Sequence, residues 1–241
     1  MPSSSPPAVC FDLDGVLIDT MALHARAWLQ AAAKMALSVS PEEIYAWEGE
    51  PGTRTAARLV RRPGPMGPRG VSHGPGKPGS RLSVTAAALL REKERRFTLM
   101  VRRHHVAVDR IWHELLDRLS RQRVPLALVT GTSSAEVRRV VPAAILRSFS
   151  VLVTGDRVRH GKPHPEPYRA ACRALRRQPD TVLVLENAPY GIRSAQRASI
   201  GVVIGLATRL PPSSLAEADL IVRTPKAAAQ LISHLAGSGP I

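Results

Sequence analysis

Phe11-Asp12-Leu13-Asp14-Gly15-Val16-Leu17-Ile18-Asp19-Thr20 is the stretch on which the fold turns. It closes an apolar run that begins at Ala8, ends in two carboxylates one residue apart, and passes into Gly15, which lets the chain turn sharply. Carboxylates are costly in a core. Two of them at a strand end therefore point to a bound cation or a reacting group. In open α/β sheets the carboxyl ends of the strands are where ligands sit. A lone Asp-x-Asp also suits a solvated turn, but the ten-residue string is far more specific.

Outward from this stretch, short apolar runs alternate with helical patterns. Strands are expected at 8–12, 125–130, 150–154, 181–185, 201–204 and, more weakly, 219–222. They are near-continuous in Val, Ile and Leu, as suits strands covered on both faces. Over 109–121, Ile111, Leu115, Leu116 and Leu119 make one apolar stripe, with Asp109 placed as N-cap. Pro165 and Glu166 open a helix running towards Arg177, and Pro225 opens the last one. Strands alternating with helices imply a parallel, doubly wound α/β sheet.

One region breaks the alternation. From about 21 to 103 the pattern is helical only, with helices at 24–37, from a capping-box pair Ser40 and Glu43 onward, and at 84–101. Such a block after the first strand reads as a separate small domain. Within it, about 62–80 is dense in Gly and Pro without period and is expected to be a loop or disordered. Gly64, Gly67 and Gly70 are too few triplets for a collagen helix. Gly76-Lys77 fails as a phosphate-binding loop, because Gly70 lies one residue too far off and Pro78 stands where a Ser or Thr is needed.

Three later segments carry polar groups, two of them at strand ends. Val129-Thr130-Gly131-Thr132-Ser133-Ser134 places hydroxyls and free amides where a helix begins, an anion site or simply a cap. Gly161-Lys162-Pro163 holds one of few lysines. Its neighbours His160 and His164 have a spacing that suits a metal, but a proline-broken loop seldom holds such a pair, and they read as loop residues. Leu185-Glu186-Asn187-Ala188-Pro189 ends another strand in a carboxylate before a helix opened by proline.

In this order, and over nearly the whole chain, the four segments resemble the haloacid dehalogenase-like (HAD) superfamily, in its β-phosphoglucomutase and phosphoglycolate phosphatase branch. The resemblance implies a HAD-like Rossmannoid core from residues 1–20 and 104–241, with a helical cap domain inserted at 21–103. It makes Asp12 the nucleophile that attacks phosphorus. Asp14 then protonates the leaving oxygen and activates the water or acceptor that resolves the aspartyl-phosphate. An acidic residue two places after the nucleophile separates the family's phosphotransferases from its dehalogenases. By the same resemblance Thr130 and Gly131 hold the phosphoryl group and Lys162 offsets its charge. Asp12, Asp14 through its main-chain carbonyl, Glu186 and Asn187 would be the Mg2+ ligands. The family pattern has a carboxylate where this chain has Asn187, which keeps an oxygen donor without formal charge, so weaker magnesium binding is expected.

The cap of this family closes over the site and excludes water. His24 and Trp28 follow the first segment at spacings similar to the mutase branch, where the histidine helps gate closure; packing between domains accounts for both equally well. Glu48-Gly49-Glu50-Pro51-Gly52-Thr53-Arg54 resembles the cap's specificity loop, with Arg54 suited to a second anionic group.

Bulk properties limit the alternatives. The 241 residues carry a net charge of +15, but the arginines are spread along the chain and lysine is scarce, a compositional bias rather than a nucleic-acid surface. Non-specific adhesion to polyanions at low salt remains open. Cys10 and Cys172 make no disulfide framework or zinc pattern, which fits a reducing cytoplasm. No secretory signal and no membrane-length apolar segment is visible. The expected protein is a cytoplasmic, Mg2+-dependent phosphatase for a small phosphorylated metabolite, of sugar phosphate or phosphoglycolate type, acting as monomer or weak dimer. No specific nucleic acid and no membrane is expected as a partner. A phosphomutase of the β-phosphoglucomutase type and a catalytically weak HAD-scaffold binding protein are the alternatives.

Overall fold

The computed structural model describes residues 7–62, 84–104 and 106–237. Of the Gly/Pro-rich stretch at about 62–80, only Arg62 falls within them. The chain opens with β1 (Ala8–Phe11), runs through α1 (Met21–Lys34), α2 (Pro41–Ala46), α3 (Gly52–Val60), α4 (Ala86–His104) and α5 (Arg110–Arg121), and returns to the sheet as β2 (Leu126–Val129). Then follow α6 (Ser134–Val140), α7 (Ala143–Leu146), β3 (Val151–Val153), α8 (Glu166–Leu175), β4 (Val182–Glu186), α9 (Pro189–Arg197), β5 (Val202–Leu206), β6 (Leu220–Val222) and α10 (Pro225–Gly237).

The six strands are parallel, in the order β3-β2-β1-β4-β5-β6. Chain progression goes one way from β1 to β3 and the other way from β4 to β6. The direction thus reverses beside β1, and a crevice opens at the strands' carboxyl ends there. Strand alternation divides the core between the two faces. Val9, Phe11, Leu126, Leu128, Leu183 and Leu185 pack with α5 and α10, while Ala8, Cys10, Ala127, Val129, Val182 and Val184 pack with α8 and α9. The first face holds the rings of Trp112 and Phe149, set edge-on to Phe11 at 6.3 and 6.1 Å. The expectation of strands covered on both faces holds for the inner four. At the edges, Leu152 of β3 and Leu220 of β6 are each 41% exposed.

The helices between β1 and β2 carry a third apolar cluster, centred on Trp28, Ile44, Leu59 and Leu89. Helix α1 begins three residues before the expected start. Thr20 at its N-cap makes no capping bond, because its hydroxyl is turned onto Asp14 instead. The helix also stops short of Leu37: Ala36 takes the left-handed conformation at φ 54°, and the amides of Met35, Ala36 and Leu37 close on the carbonyls of Ala32 and Ala33. Helix α2 has the expected capping box, Ser40 with Glu43. Among the described residues no helix is long and apolar enough to cross a membrane.

Candidate active site

Three neighbouring strands deliver the site. The Asp12 amide donates to the Leu185 carbonyl at 3.0 Å, which sets Asp12 next to Glu186 at the end of β4. On the other side of β1, Thr130 follows β2. Lys162, from the loop between β3 and α8, reaches underneath with its side chain 1% exposed. Its ammonium donates to Asp12 Oδ1 at 2.6 Å, Glu186 Oε1 at 2.5 Å and the Val129 carbonyl at 3.0 Å. Those three bonds use all its protons. Tyr168 donates its phenol hydrogen to the same Glu186 oxygen at 2.8 Å, and the lysine lies over its ring. The other Glu186 oxygen accepts the amides of Asn187 and Ala188, ahead of the N-terminus of α9.

Asp14 is held from four sides. Its Oδ1 accepts from Thr20 at 2.5 Å and lies 3.0 Å from His24 Nε2; its Oδ2 accepts from Thr132 at 2.7 Å and Thr130 at 3.4 Å. His24 is itself stacked on Phe97, ring centroids 3.9 Å apart. Gly15, at φ 85°, makes the turn that brings Thr20 and His24 back to this carboxylate.

The charge arrangement explains the titration of these groups. Burial pushes the Asp12 carboxyl up, Lys162 pulls it down, Glu186 and Asp14 push it up again, and the balance lies above the ordinary carboxylate range. For Asp14, burial is outweighed by His24, Thr20 and Thr132, which hold it below that range. Lys162 is likewise held above its ordinary value by Asp12 and Glu186 against the cost of burial. Three buried carboxylates share one lysine and one histidine, a donor set with an excess of negative charge that a cation would offset.

Two observations fit that cation to the residues present. The Asn187 Oδ1 atom is buried with no hydrogen-bond partner among the described residues, while its Nδ2 rests on Met21 Sδ at 2.8 Å. The Lys162 bond to Asp12 engages Oδ1, and Oδ2 has no hydrogen bond among the described residues. An amide oxygen and a carboxylate oxygen are hard donors of the kind magnesium takes.

Above the strand ends lies a cavity of about 230 Å³, walled by Asp12, Asp14, Thr130 and Gly131 below and by Trp28, Leu90 and Lys93 of the helical insert above. The insert approaches closely: a Cβ on Gly131 would stand 2.8 Å from the Gly49 carbonyl oxygen. Asp12, Asp14, Thr130, Gly131, Lys162, Glu186 and Asn187 are thus brought together, with His24 and Trp28 beside them. Arg54 is not. Its side chain is 59% exposed and its Nε sits 3.2 Å from the buried carboxylate of Glu50. His160 and His164 stand at the surface with Glu166, outside the cavity.

Sequence reasoning missed Thr20 and Thr132 as partners of Asp14, Tyr168 as a partner of Glu186, and the buried pair of Lys93 and Glu136. Thr20 closes the quoted decapeptide, and a polar residue there was a usable signal. Tyr168 sits on an apolar helix face, where its hydroxyl is invisible to periodicity.

A family model described as haloacid dehalogenase-like hydrolase matches residues 9–204. The chain is 31% identical, over 88% of its length and 91% of the other, to validoxylamine A 7'-phosphate phosphatase of Streptomyces hygroscopicus subsp. limoneus. It is 26% identical, over 80% and 93%, to a fructose-1-phosphate phosphatase of Escherichia coli K12. A solved structure of CbbY from Rhodobacter sphaeroides with phosphate superposes with a TM-score of 0.71 at 27% identity, covering 92% of this chain and 95% of that one. With its strand order, its four polar segments and these relatives, the chain belongs to the haloacid dehalogenase-like hydrolases, in the β-phosphoglucomutase and phosphoglycolate phosphatase-like branch.

Proposed function

We propose that the protein is a magnesium-dependent phosphatase that hydrolyses a small phosphorylated sugar-like metabolite through an aspartyl-phosphate on Asp12. The observation that carries this reading is the Lys162 ammonium spanning Asp12 and Glu186 while Asp12 lines the cavity. A carboxylate oriented through one oxygen and open at the other is a positioned nucleophile.

In the first step a carboxylate oxygen of Asp12 bonds to phosphorus, the P–O bond to the alcohol breaks, and the leaving oxygen takes a proton from Asp14. In the second, water attacks the phosphoryl group, Asp14 takes its proton, and the carboxylate of Asp12 is released with inorganic phosphate. The ionised state in which Thr20, His24 and Thr132 hold Asp14 suits the second step. For the first a proton must reach it, and His24 Nε2 at 3.0 Å is the neighbour able to supply one. Lys162 and the Thr130 hydroxyl face the charge of the phosphoryl group. Mg2+, held by Asp12, the Asp14 carbonyl, Asn187 Oδ1 and the Glu186 carboxylate, would neutralise phosphoryl charge. The helical insert, as a cap domain over residues 21–103, would keep bulk water from the aspartyl-phosphate. Two buried free thiols, Cys10 and Cys172, suit work in the reducing cytoplasm.

The test is phosphate release from a panel of sugar phosphates with Mg2+, wild type beside Asp12→Asn. Loss of at least about 10³-fold in the variant, with unchanged circular dichroism, is expected for a removed nucleophile. Equal rates overturn the reading. Conversion of β-glucose 1-phosphate to glucose 6-phosphate after priming with the bisphosphate would make it a mutase.

A further inference from the structure

Outside the cavity, the loop that turns Lys162 inward turns two imidazoles outward. His160 and His164 stand two residues to either side of Lys162. Their side chains are 51% and 47% exposed, with ring centroids 4.6 Å apart and planes tilted by 35°. Glu166, at the start of α8, joins them. Its Oε2 lies 2.8 Å from His160 Nδ1 and 4.0 Å from His164 Nδ1. One nitrogen or oxygen from each of the three residues lies within 4.8 Å of the others.

The backbone holds this set in place by itself. Glu166 Oε1 accepts the Arg159 amide at 2.8 Å and Oε2 the His160 amide at 3.0 Å, which fixes the carboxylate. The His164 amide donates to the Gly161 carbonyl at 3.0 Å, and the His164 carbonyl accepts the Ser194 hydroxyl at 2.6 Å. Arg197 donates to the Pro163 carbonyl at 3.1 Å. From the insert's side Pro51 bounds the loop so closely that a Cβ on Gly161 would clash with its ring. The chain has 34 Lys and Arg, yet among the described residues the ion partners of Glu166 are these two histidines.

We propose that His160, His164 and Glu166 form a binding site for a divalent transition-metal ion of the zinc class, distinct from the cation site at the strand ends. Two imidazoles and a carboxylate make a donor set that zinc takes. Magnesium prefers oxygen donors alone, so the two sites select different ions. Ligand atoms around a tetrahedral zinc stand roughly 3.4 Å apart, and small turns of two half-exposed rings bring the three donors to that spacing. The ion takes the place of the hydrogen that now bridges His160 Nδ1 and Glu166 Oε2. It also replaces the 3.2 Å bond from the Glu166 amide to His164 Nδ1. Each ring then keeps its one hydrogen on Nε2, and water completes the coordination on the exposed side. The bound ion fastens both ends of the Gly161-Lys162-Pro163 turn to the start of α8. No step of the phosphatase reading depends on it.

The test is calorimetric titration of the untagged full chain with Zn2+ in excess Mg2+, near neutral pH, beside His160→Ala and His164→Ala. Wild type should bind one Zn2+, and each variant should bind it at least about tenfold more weakly, since losing a ligand costs no less than losing a group that orients one. Zn2+ should raise the thermal unfolding midpoint of wild type and leave that of the double variant where it was. Phosphate release with Mg2+ alone should be unchanged in both single variants, whose rings touch none of the reacting groups. Equal Zn2+ affinity in wild type and the histidine variants overturns the site, as does no binding at about 1 mM Zn2+. Zn2+ binding that is lost in Asp12→Asn and kept in the histidine variants places the ion at the strand ends and overturns it as well.

Discussion

At the scale of single residues, two side chains carry the least expected consequences. Asp14 is held below the ordinary carboxylate range by His24, Thr20 and Thr132, so the acid role proposed for it would depend on His24, whose ring stacks on Phe97. His24→Asn should therefore slow alkyl phosphate esters by about 10² or more, the usual size of a proton-transfer contribution. p-Nitrophenyl phosphate, whose leaving group departs without a proton, should suffer less. Equal losses on both esters would make His24 a packing residue. Asn187 gives a second test. Its buried amide oxygen offers a donor without formal charge. Asn187→Asp should lower the Mg2+ concentration for half-maximal rate by about tenfold, since ligand charge tightens a hard-cation site. An unchanged or weaker magnesium requirement would remove the amide from the ligand set.

At the scale of elements, legibility followed how local the determining physics is. The inner strands and the helices 84–101 and 109–121 were readable because burial on two faces and a single apolar stripe leave regular signatures. The capping box of α2 was readable as well, and it makes a prediction: Ser40→Ala should cost about 1 kcal/mol in a urea melt, with the loss confined to stability. Helix α3 was not anticipated. Its start at Gly52 follows proline and lies in a segment whose spacing spoke of a loop, and the buried contacts of Ala56 and Leu59 that hold it come from α4 and α1. The start of α1 was misplaced because the hydroxyl of Thr20 serves Asp14 and leaves no capping signal. The site behaved in the same way. Asp12, Thr130 and Glu186 were legible as strand-end polar residues and Lys162 as a lone loop lysine, in a fixed order. Tyr168, Lys93 and Glu136 were not, because each gains its meaning from a partner far away in sequence. Arg54 shows the converse, a plausible local signal answered elsewhere by Glu50.

At the scale of the whole molecule, a net charge of +15 surrounds a cavity lined by acids. The outer field favours approach of anions from a distance. The upper wall of that cavity comes from the helical insert. The insert has an apolar cluster of its own, in which Leu59 and Leu89 are fully buried, while Phe97 and Met100 of α4 join the cluster under the sheet instead. Leu89→Ala removes a side chain from the insert's cluster alone and should cost about 2–5 kcal/mol, as such core truncations do. If the insert is a separate cap unit, the cost appears as lost amide-exchange protection in α1 to α4, with β1, β2, β4 and β5 as protected as before. Turnover of a bulky sugar phosphate should then fall more than turnover of p-nitrophenyl phosphate, which needs less of the upper wall. Protection falling equally in the sheet would show that Phe97 and Met100 weld insert and core into one cooperative unit. The cap would then be part of the core's own stability.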